Sequence, residues 1–113
     1  MKLSESKRAN RMGDQIMREI SMMLMEEVRD PRLEFVTVSG VRMNANLEVA
    51  EVLFTAPADA DVQEVEKALK KAAGFLRTQL GRRLRVRHIP ELRFMHDTFL
   101  EDMVYAKPDE SDS

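Results

Sequence analysis

The residues with the clearest chemical use are cations, and most of them lie in two stretches of the chain. Residues 67–90 carry eight Lys and Arg and no Asp or Glu, while residues 1–13 carry four cations against one Glu. Arginine offers planar, bidentate donors to phosphate, and lysine offers a mobile point charge. The predicted phosphate contacts are Lys70, Lys71, Arg77, Arg82, Arg83, Arg85 and Arg87, with Arg8 and Arg11 as a second patch.

The net charge of -2 hides this arrangement, because acids and bases are separated along the chain. From Thr98 onward, five acids face one base, Lys107. The local field of a surface decides which partner it attracts, more than the sum over the chain does. A cationic run is often only a solvated face, and we expect some of these cations to be bystanders. Ordinary surface helices mix both signs, however, so an acid-free run of this length favours an anionic partner.

The side chains suited to catalysis form one small cluster, made of His88, Glu91, His96 and Asp97. A nuclease could use such carboxylates to hold Mg²⁺ between reacting oxygens. In a strand, however, His96 and Asp97 would point to opposite faces. The sequence also has no Gly-rich phosphate cradle of the Walker type and no cysteine for a thiolate metal site. We therefore predict a protein without catalytic activity, metal or other cofactor.

The length and hydropathy of the chain restrict its class. A chain of 113 residues fits one domain with a modest core. Its N-terminus lacks the apolar stretch of a secretory signal, and its apolar runs are far too short for a membrane span. We expect a cytoplasmic protein with no membrane contact. The size of the chain and the lack of a heptad seam favour a monomer.

The hydrophobic pattern predicts the elements that position the cations. Apolar residues repeating at three and four positions predict helices, and alternation in β-branched stretches predicts strands. Asp61 is a plausible N-cap, Gly40 marks a bulge or a close backbone approach, and Gly74 interrupts the second helical pattern. The five Phe residues fall mostly at apolar positions of the predicted elements, and we expect them in the core. The predicted elements are helix 10–28, strands 35–43 and 47–55, helix 62–73, a kink at Gly74, a further helix to Leu84, and strand 91–97.

This order of elements predicts an α+β domain with a three-stranded sheet and helices packed on one face. The predicted domain covers residues 1–97, and residues 98–113 form a polar, acidic tail that we expect to be flexible. The order helix, strand, strand, helix, kink, helix, strand matches the type II K-homology topology, which is an RNA-binding fold. Fold alone does not determine function.

Three stretches carry a more specific resemblance, which runs from about Arg11 to about Asp97. Found in this order and at this spacing, they make the sequence similar to the ribosome-binding factor A family. Glu34 departs from the pattern, since the family commonly has Gly there. The stretches are Asp30-Pro31-Arg32-Leu33 with 36–41, Ala73-Gly74-Phe75-Leu76-Arg77 with Leu80 and 84–87, and Pro90-Glu91-Leu92-Arg93-Phe94.

The resemblance implies a binding role on the free small (30S) ribosomal subunit. The family assists the processing and folding of 16S rRNA near its 5′ end and the decoding region, and it supports growth in the cold. Further partners that the resemblance implies are ribosomal proteins and a GTPase that releases the factor. In the family an interhelical kink, here Ala72-Ala73-Gly74, replaces the usual Gly-x-x-Gly loop, and this chain contains no Gly-x-x-Gly.

Without a Gly-rich loop, binding should depend on side-chain cations that contact the phosphates of folded RNA. The scarcity of aromatic residues outside apolar positions also favours recognition of RNA shape over the stacking of single-stranded bases. An alternative is a protein-interaction module with the same fold and no direct RNA role. The salt dependence of RNA affinity separates the two, because phosphate contacts give a steep dependence.

Overall fold

The computed structural model describes residues 2–4 and 6–99, and within them it has two long helices and three strands. The α+β class predicted from the sequence is confirmed. Much of the predicted tail lies outside the described residues, from Leu100 onward. None of the helices in the described part of the chain is long and apolar enough to cross a membrane. The elements are α1 (Lys7–Glu26), a 3-10 turn (Pro31–Leu33), β1 (Thr37–Met43), β2 (Val49–Thr55), α2 (Val62–Arg83) and β3 (Glu91–His96).

The three strands form one sheet in the order β1-β2-β3. β1 and β2 pair as an antiparallel hairpin, whereas β2 and β3 are parallel, so α2 is the crossover between them. The pairing of β1 with β2 shifts its register between Val38 and Gly40, which confirms the predicted bulge. Burial alternates along β2, where Ala50, Val52 and Phe54 are fully buried.

Helix α1 begins earlier than its apolar pattern indicates. Ser6 is the N-cap, and its side chain accepts a hydrogen bond from the backbone N of Ala9 at 3.0 Å. The first apolar residue of the predicted pattern is Met12, which lies more than a turn inside the helix. The predicted start at Asn10 was therefore late, since the cap and first turn are polar apart from Ala9.

Gly13 permits a close approach of α1 to the sheet. A Cβ at Gly13 would lie 2.7 Å from the backbone oxygen of Val41 in β1. A glycine inside a helix costs roughly 1 kcal/mol relative to Ala. The structure gives the residue a packing role, because any side chain there would collide with backbone.

Helix α2 is one continuous helix, so the predicted division into two helices at Gly74 is wrong. Its start was predicted correctly, because the Asp61 side chain accepts hydrogen bonds from the backbone N of Gln63 and of Glu64. The continuity has a simple physical reason. The buried residues on both sides of Gly74 form one stripe with no change of phase, comprising Val65, Ala68, Leu69, Leu76 and Leu80.

The phenylalanines follow the prediction only in part. Phe54 is fully buried and Phe94 is half-buried, but Phe35, Phe75 and Phe99 are exposed. Phe35 precedes β1, so strand alternation does not turn it inward. Phe75 lies about 100° around α2 from Leu76, outside the buried stripe. The prediction of a core position was wrong for these three residues.

Candidate nucleic-acid interface

An open cleft of about 830 Å³ brings Arg8 and Arg11 of one predicted cationic patch together with Arg87 of the other. Arg8 and Arg11 line it from the first turns of α1, and Arg87 and His88 line it from the segment between α2 and β3. The β1–β2 turn, residues 45–48, forms the third wall. Nearly eighty positions separate Arg8 from Arg87 in the chain, so only the fold makes them neighbours.

The α1 wall presents its cations on one helical face. Arg8, Arg11 and Gln15 repeat at three and four residues and all line the cleft. The first turn of α1 contains no acidic residue, and its unpaired backbone N–H groups give the helix start a partial positive charge. The positive charge of the arginines and the partial positive charge of the helix start therefore reinforce each other at this wall.

The β1–β2 turn is held in place by local hydrogen bonds. The Asn44 side-chain oxygen accepts from the backbone N of Glu48 and of Val49, each at 2.9 Å. Leu47 adopts a left-handed φ of 61° within the turn. The N-terminal segment is also attached here, since the backbone N of Ser4 donates to the Met43 oxygen at 2.8 Å. These contacts give the cleft a defined wall.

Arg77 positions the segment that carries Arg87. Its Nε donates to the Pro90 oxygen at 3.1 Å, and its Nη2 donates to the Ile89 oxygen at 3.0 Å. The guanidinium thus uses two of its donor groups on the backbone before β3. Because carbonyls are neutral, the charge of Arg77 is retained near the cleft. Its predicted role as a phosphate contact stays a prediction, with a structural role beside it.

Arg83 connects the two helices. Its Nη2 lies 2.7 Å from a carboxylate oxygen of Glu27, and its Nη1 lies 3.4 Å from a carboxylate oxygen of Glu19. Glu19 lies within α1, and Glu27 is the C-cap of that helix. Hydrogen bonding to Glu27 raises the pKa of Arg83 above its usual value. Two carboxylates more than neutralise this guanidinium, which leaves little charge for an external phosphate.

The remaining predicted contacts lie on the surface. Lys70, Lys71, Arg82 and Arg85 are exposed, as are Arg8, Arg11 and Arg87 in the cleft. Among residues 2–4 and 6–99, none of these seven makes a hydrogen bond or an ion pair through its side chain. Lys71 acts electrostatically on Asp30, whose pKa is lowered chiefly by its hydrogen bond to Arg32. The donors of these cations are directed to solvent and are available to an anionic partner.

Gly74 has no internal role that explains a glycine in mid-helix. It has no positive φ, and a Cβ built there would meet nothing within 4 Å. Its neighbours Ala72 and Ala73 are half-buried, while Gly74 is exposed on the outer face of α2. The outer face of α2 therefore carries no side chain at Gly74, between Lys70 and Lys71 on one side and Thr78 on the other.

Three of the four residues of the catalytic alternative have structural partners, and the fourth, His88, lines the cleft. The His96 ring packs against that of Phe54 in a tilted arrangement, with ring centroids 5.4 Å apart. Asp97 accepts from the Ser39 hydroxyl at 2.7 Å, and this bond lowers the pKa of the Asp97 carboxyl. Glu91 pairs with Arg93 at 3.0 Å. Within the described part of the chain, no three His, Cys, Asp or Glu side chains are grouped to hold a metal ion.

Sequence reasoning missed the polar residues that share the cleft with the arginines. Ser6, Gln15, Asn46 and Glu48 line it and were not among the predicted site residues. The Glu48 carboxylate accepts a hydrogen bond from the Asn46 side chain at 2.8 Å, and it is outnumbered in the cleft by the three arginines. The spacing of Arg8, Arg11 and Gln15 would have indicated a common face if the helix start had been recognised at Ser6. Asn46 belongs to a turn whose position depends on the hairpin, so no local signal pointed to it.

The chain is similar to proteins of one family over most of its length. A family model described as ribosome-binding factor A matches residues 8–107. The ribosome-binding factor A of Chromohalobacter salexigens is 39% identical over 98 residues, which cover 84% of this chain and 75% of that protein. That of Alkalilimnicola ehrlichii is 46% identical over 93 residues, covering 80% and 72%.

Solved structures agree with these matches. The crystal structure of ribosome-binding factor A from Thermus thermophilus aligns with a TM-score of 0.71 at 28% identity, over 78% of this chain and 94% of that one. A homology model of the Thermus thermophilus factor, as fitted into a cryo-electron-microscopy map of a 30S complex, aligns with a TM-score of 0.62 at 29% identity. It covers 75% of this chain and 90% of that one.

Proposed function

The chain belongs to the ribosome-binding factor A family, and we propose that it is a non-catalytic assembly factor that binds the free small ribosomal subunit through 16S rRNA. The observation that carries the proposal is the cleft that gathers Arg8, Arg11 and Arg87 from two distant stretches. A relative fitted into a map of a 30S complex supports the same partner.

The cleft suits the phosphates of folded RNA. It is open, its cations are exposed, and its guanidiniums can form bidentate bonds with phosphate oxygens. The exposed cations of α2, Lys70, Lys71 and Arg82, extend the surface that can follow an RNA backbone. Such contacts fix position and orientation without reading sequence. The factor therefore recognises the shape of a region of rRNA.

The factor acts on 16S rRNA maturation by shifting a population of conformations. It binds an immature conformation of the subunit more tightly than the mature one, and so favours the states in which processing and folding proceed. A ligand with equal affinity for both conformations would shift nothing. The same bias supports growth in the cold, where rRNA conformations exchange more slowly. The factor works in the cytoplasm as a monomer, contacts ribosomal proteins and is released by a GTPase.

Co-sedimentation with isolated small subunits and with whole ribosomes tests this function. The cleft variant is Arg8→Glu/Arg87→Glu, and the matched control is Arg18→Glu/Arg29→Glu, which reverses two exposed charges that lie outside the cleft and have no ion pair among the described residues. We expect wild type and control to sediment with free small subunits only, and the folded cleft variant to remain in the supernatant. A double substitution of Arg82 and Arg83 would be a poor choice, because Arg83 is bound to Glu19 and Glu27.

Two results would contradict the proposal. Binding of the cleft variant at wild-type level would remove the cleft from the interface. Failure of the wild-type protein to bind subunits at low and moderate salt would favour the alternative, a protein-interaction module with this fold. Cleavage of rRNA by the pure protein would overturn the non-catalytic assignment.

A further inference from the structure

A second concave surface lies at the opposite end of α2 from the cleft. This groove, of about 270 Å³, is formed by the 3-10 turn after α1, the loop between β2 and α2, and the first turn of α2. The cleft is lined by residues 86–89, just beyond the other end of the helix. A helix of 22 residues spans roughly 33 Å. The groove and the cleft can therefore be occupied at the same time.

Part of the groove lining is apolar and includes an exposed aromatic ring. Phe35 is 72% exposed although it is one of the largest apolar side chains in the chain. Its neighbours in the groove are Pro31, Pro57, Ala60 and Val65. A single exposed apolar residue is ordinary. Here the ring borders a concavity whose prolines have fixed φ, so the groove offers a preformed site for one apolar side chain.

The charges around the groove are mostly negative. The lining contains the carboxylates of Asp59, Asp61 and Glu64 against the guanidinium of Arg32. That guanidinium is already paired, at 2.8 Å with Asp30 and 3.5 Å with Glu64. Glu64 also pairs with Lys67 at 3.2 Å, so among the described residues the lining carboxylates without an ion pair are Asp59 and Asp61. Asp59 is exposed and has no hydrogen bond or ion pair among the described residues. The rim therefore keeps unneutralised negative charge beside the exposed ring, the reverse of the cleft.

We propose that this groove docks an extended, cationic segment of a protein partner, in which an apolar side chain packs on Phe35 and flanking Lys or Arg residues pair with Asp59 and Asp61. Charge complementarity selects this occupant. An RNA backbone would bring phosphates against three carboxylates, and like charges at contact distance are repulsive. An acidic peptide is excluded for the same reason. The proposal does not depend on the RNA role of the cleft.

A random dodecapeptide library displayed on phage tests the proposal with the pure, full-length protein. Selection is made on the wild type after depletion on Phe35→Ser/Asp59→Lys, a variant that changes two exposed side chains. We expect the enriched peptides to carry Lys or Arg on both sides of a Leu, Met or aromatic residue. Their affinity for the variant should fall at least about tenfold, since both an anchor contact and a charge pair are lost.

The matched control is Arg8→Glu/Arg87→Glu, which alters the cleft and should leave peptide affinity unchanged. This control also separates the proposal from the RNA function, because it should abolish subunit binding and spare peptide binding. No enrichment, enrichment of acidic peptides, or equal affinity for wild type and Phe35→Ser/Asp59→Lys would each overturn the proposal. So would an RNA oligonucleotide whose binding perturbs the amide resonances of Phe35 and Ala60 when a selected peptide does not.

Discussion

Two regions of the molecule use the same residue types for different purposes. In the inner contact region, where α1 meets β1 and α2, Gly13 fits against the Val41 backbone and Arg83 binds Glu19 and Glu27. On the outer cationic surface, formed by the cleft and the exposed face of α2, Gly74 faces open space and Arg87 is directed to solvent. The use of a residue is therefore decided by its three-dimensional neighbours and not by its type.

The difference is largest for the two arginines, which are only four positions apart. The charge of Arg83 holds the helices together, whereas the charge of Arg87 contributes to the field of the cleft. Substitutions at matched positions in the two regions should consequently separate stability from binding.

Gly13→Ala should produce the largest loss of stability. Its methyl group would be placed 2.7 Å from the Val41 oxygen, so α1 or β1 must shift. Overpacking of this kind costs about 1–3 kcal/mol, which outweighs the gain of roughly 1 kcal/mol from replacing a helical glycine. Urea unfolding followed by circular dichroism measures the change in the free energy of unfolding. An unchanged or raised free energy would mean that α1 does not pack closely on β1.

Arg87→Glu should produce the largest effect on binding by a single exposed residue. We expect affinity for isolated small subunits to fall at least about tenfold, or about 1.4 kcal/mol, because a favourable charge becomes a repulsive one in the cleft. The unfolding midpoint should stay within a degree or two of wild type, since the side chain has no partner within the described residues. Arg29→Glu serves as the control. A variant that binds as the wild type does would remove Arg87 from the interface.

Arg83→Met should lower the temperature of unfolding by a few degrees and leave the affinity of the folded protein for subunits close to wild type. The change leaves Glu19 and Glu27 without their shared cation, so the loss should shrink as salt screens their repulsion. Differential scanning calorimetry at two salt concentrations measures it. If Arg83→Met instead weakened subunit binding as strongly as Arg87→Glu, the assignment of Arg83 to the inner region would be wrong.

Gly74→Ala should have the smallest effect, and one of opposite sign to Gly13→Ala. Nothing lies within 4 Å of the new methyl group and no positive φ must be kept. We expect the free energy of unfolding to rise by about 0.4–1 kcal/mol through the lower entropy of the unfolded chain. The same urea titration tests it. A loss of stability at Gly74 would show that α2 needs a deformable residue there.

The sequence predicted much of the fold because its main determinants are local. The periodic apolar residues of α1, the alternation in β2 and β3, the Asp61 cap and the Gly40 bulge all leave signals within a few positions. The division of α2 was wrong for an energetic reason. A mid-helix glycine costs roughly 1 kcal/mol, whereas each buried Leu on either side contributes about 1.5–3 kcal/mol by packing on the sheet.

The candidate site was predicted less completely because it depends on distant contacts. The partners of Arg83 lie 56 and 64 positions away, so the sequence could not separate it from Arg82 or Arg87. The two cationic patches were identified, but the meeting of Arg8 and Arg11 with Arg87 in one cleft follows from the hairpin and the crossover. Phe35 was assigned to the core because it was predicted to begin the first strand, whereas β1 begins at Thr37 and leaves Phe35 exposed before it.

The salt dependence of subunit affinity tests the central claim most directly. The cleft variant is Arg8→Ala/Arg11→Ala/Arg87→Ala, and the control removes two exposed arginines elsewhere that have no ion pair among the described residues, Arg18→Ala/Arg29→Ala. Each phosphate contact contributes roughly 0.7 to 0.9 to the slope of log K against log salt. We predict that the slope becomes shallower by roughly two to three for the cleft variant and stays near wild type for the control. Equal slopes for wild type and the cleft variant would contradict phosphate binding in the cleft.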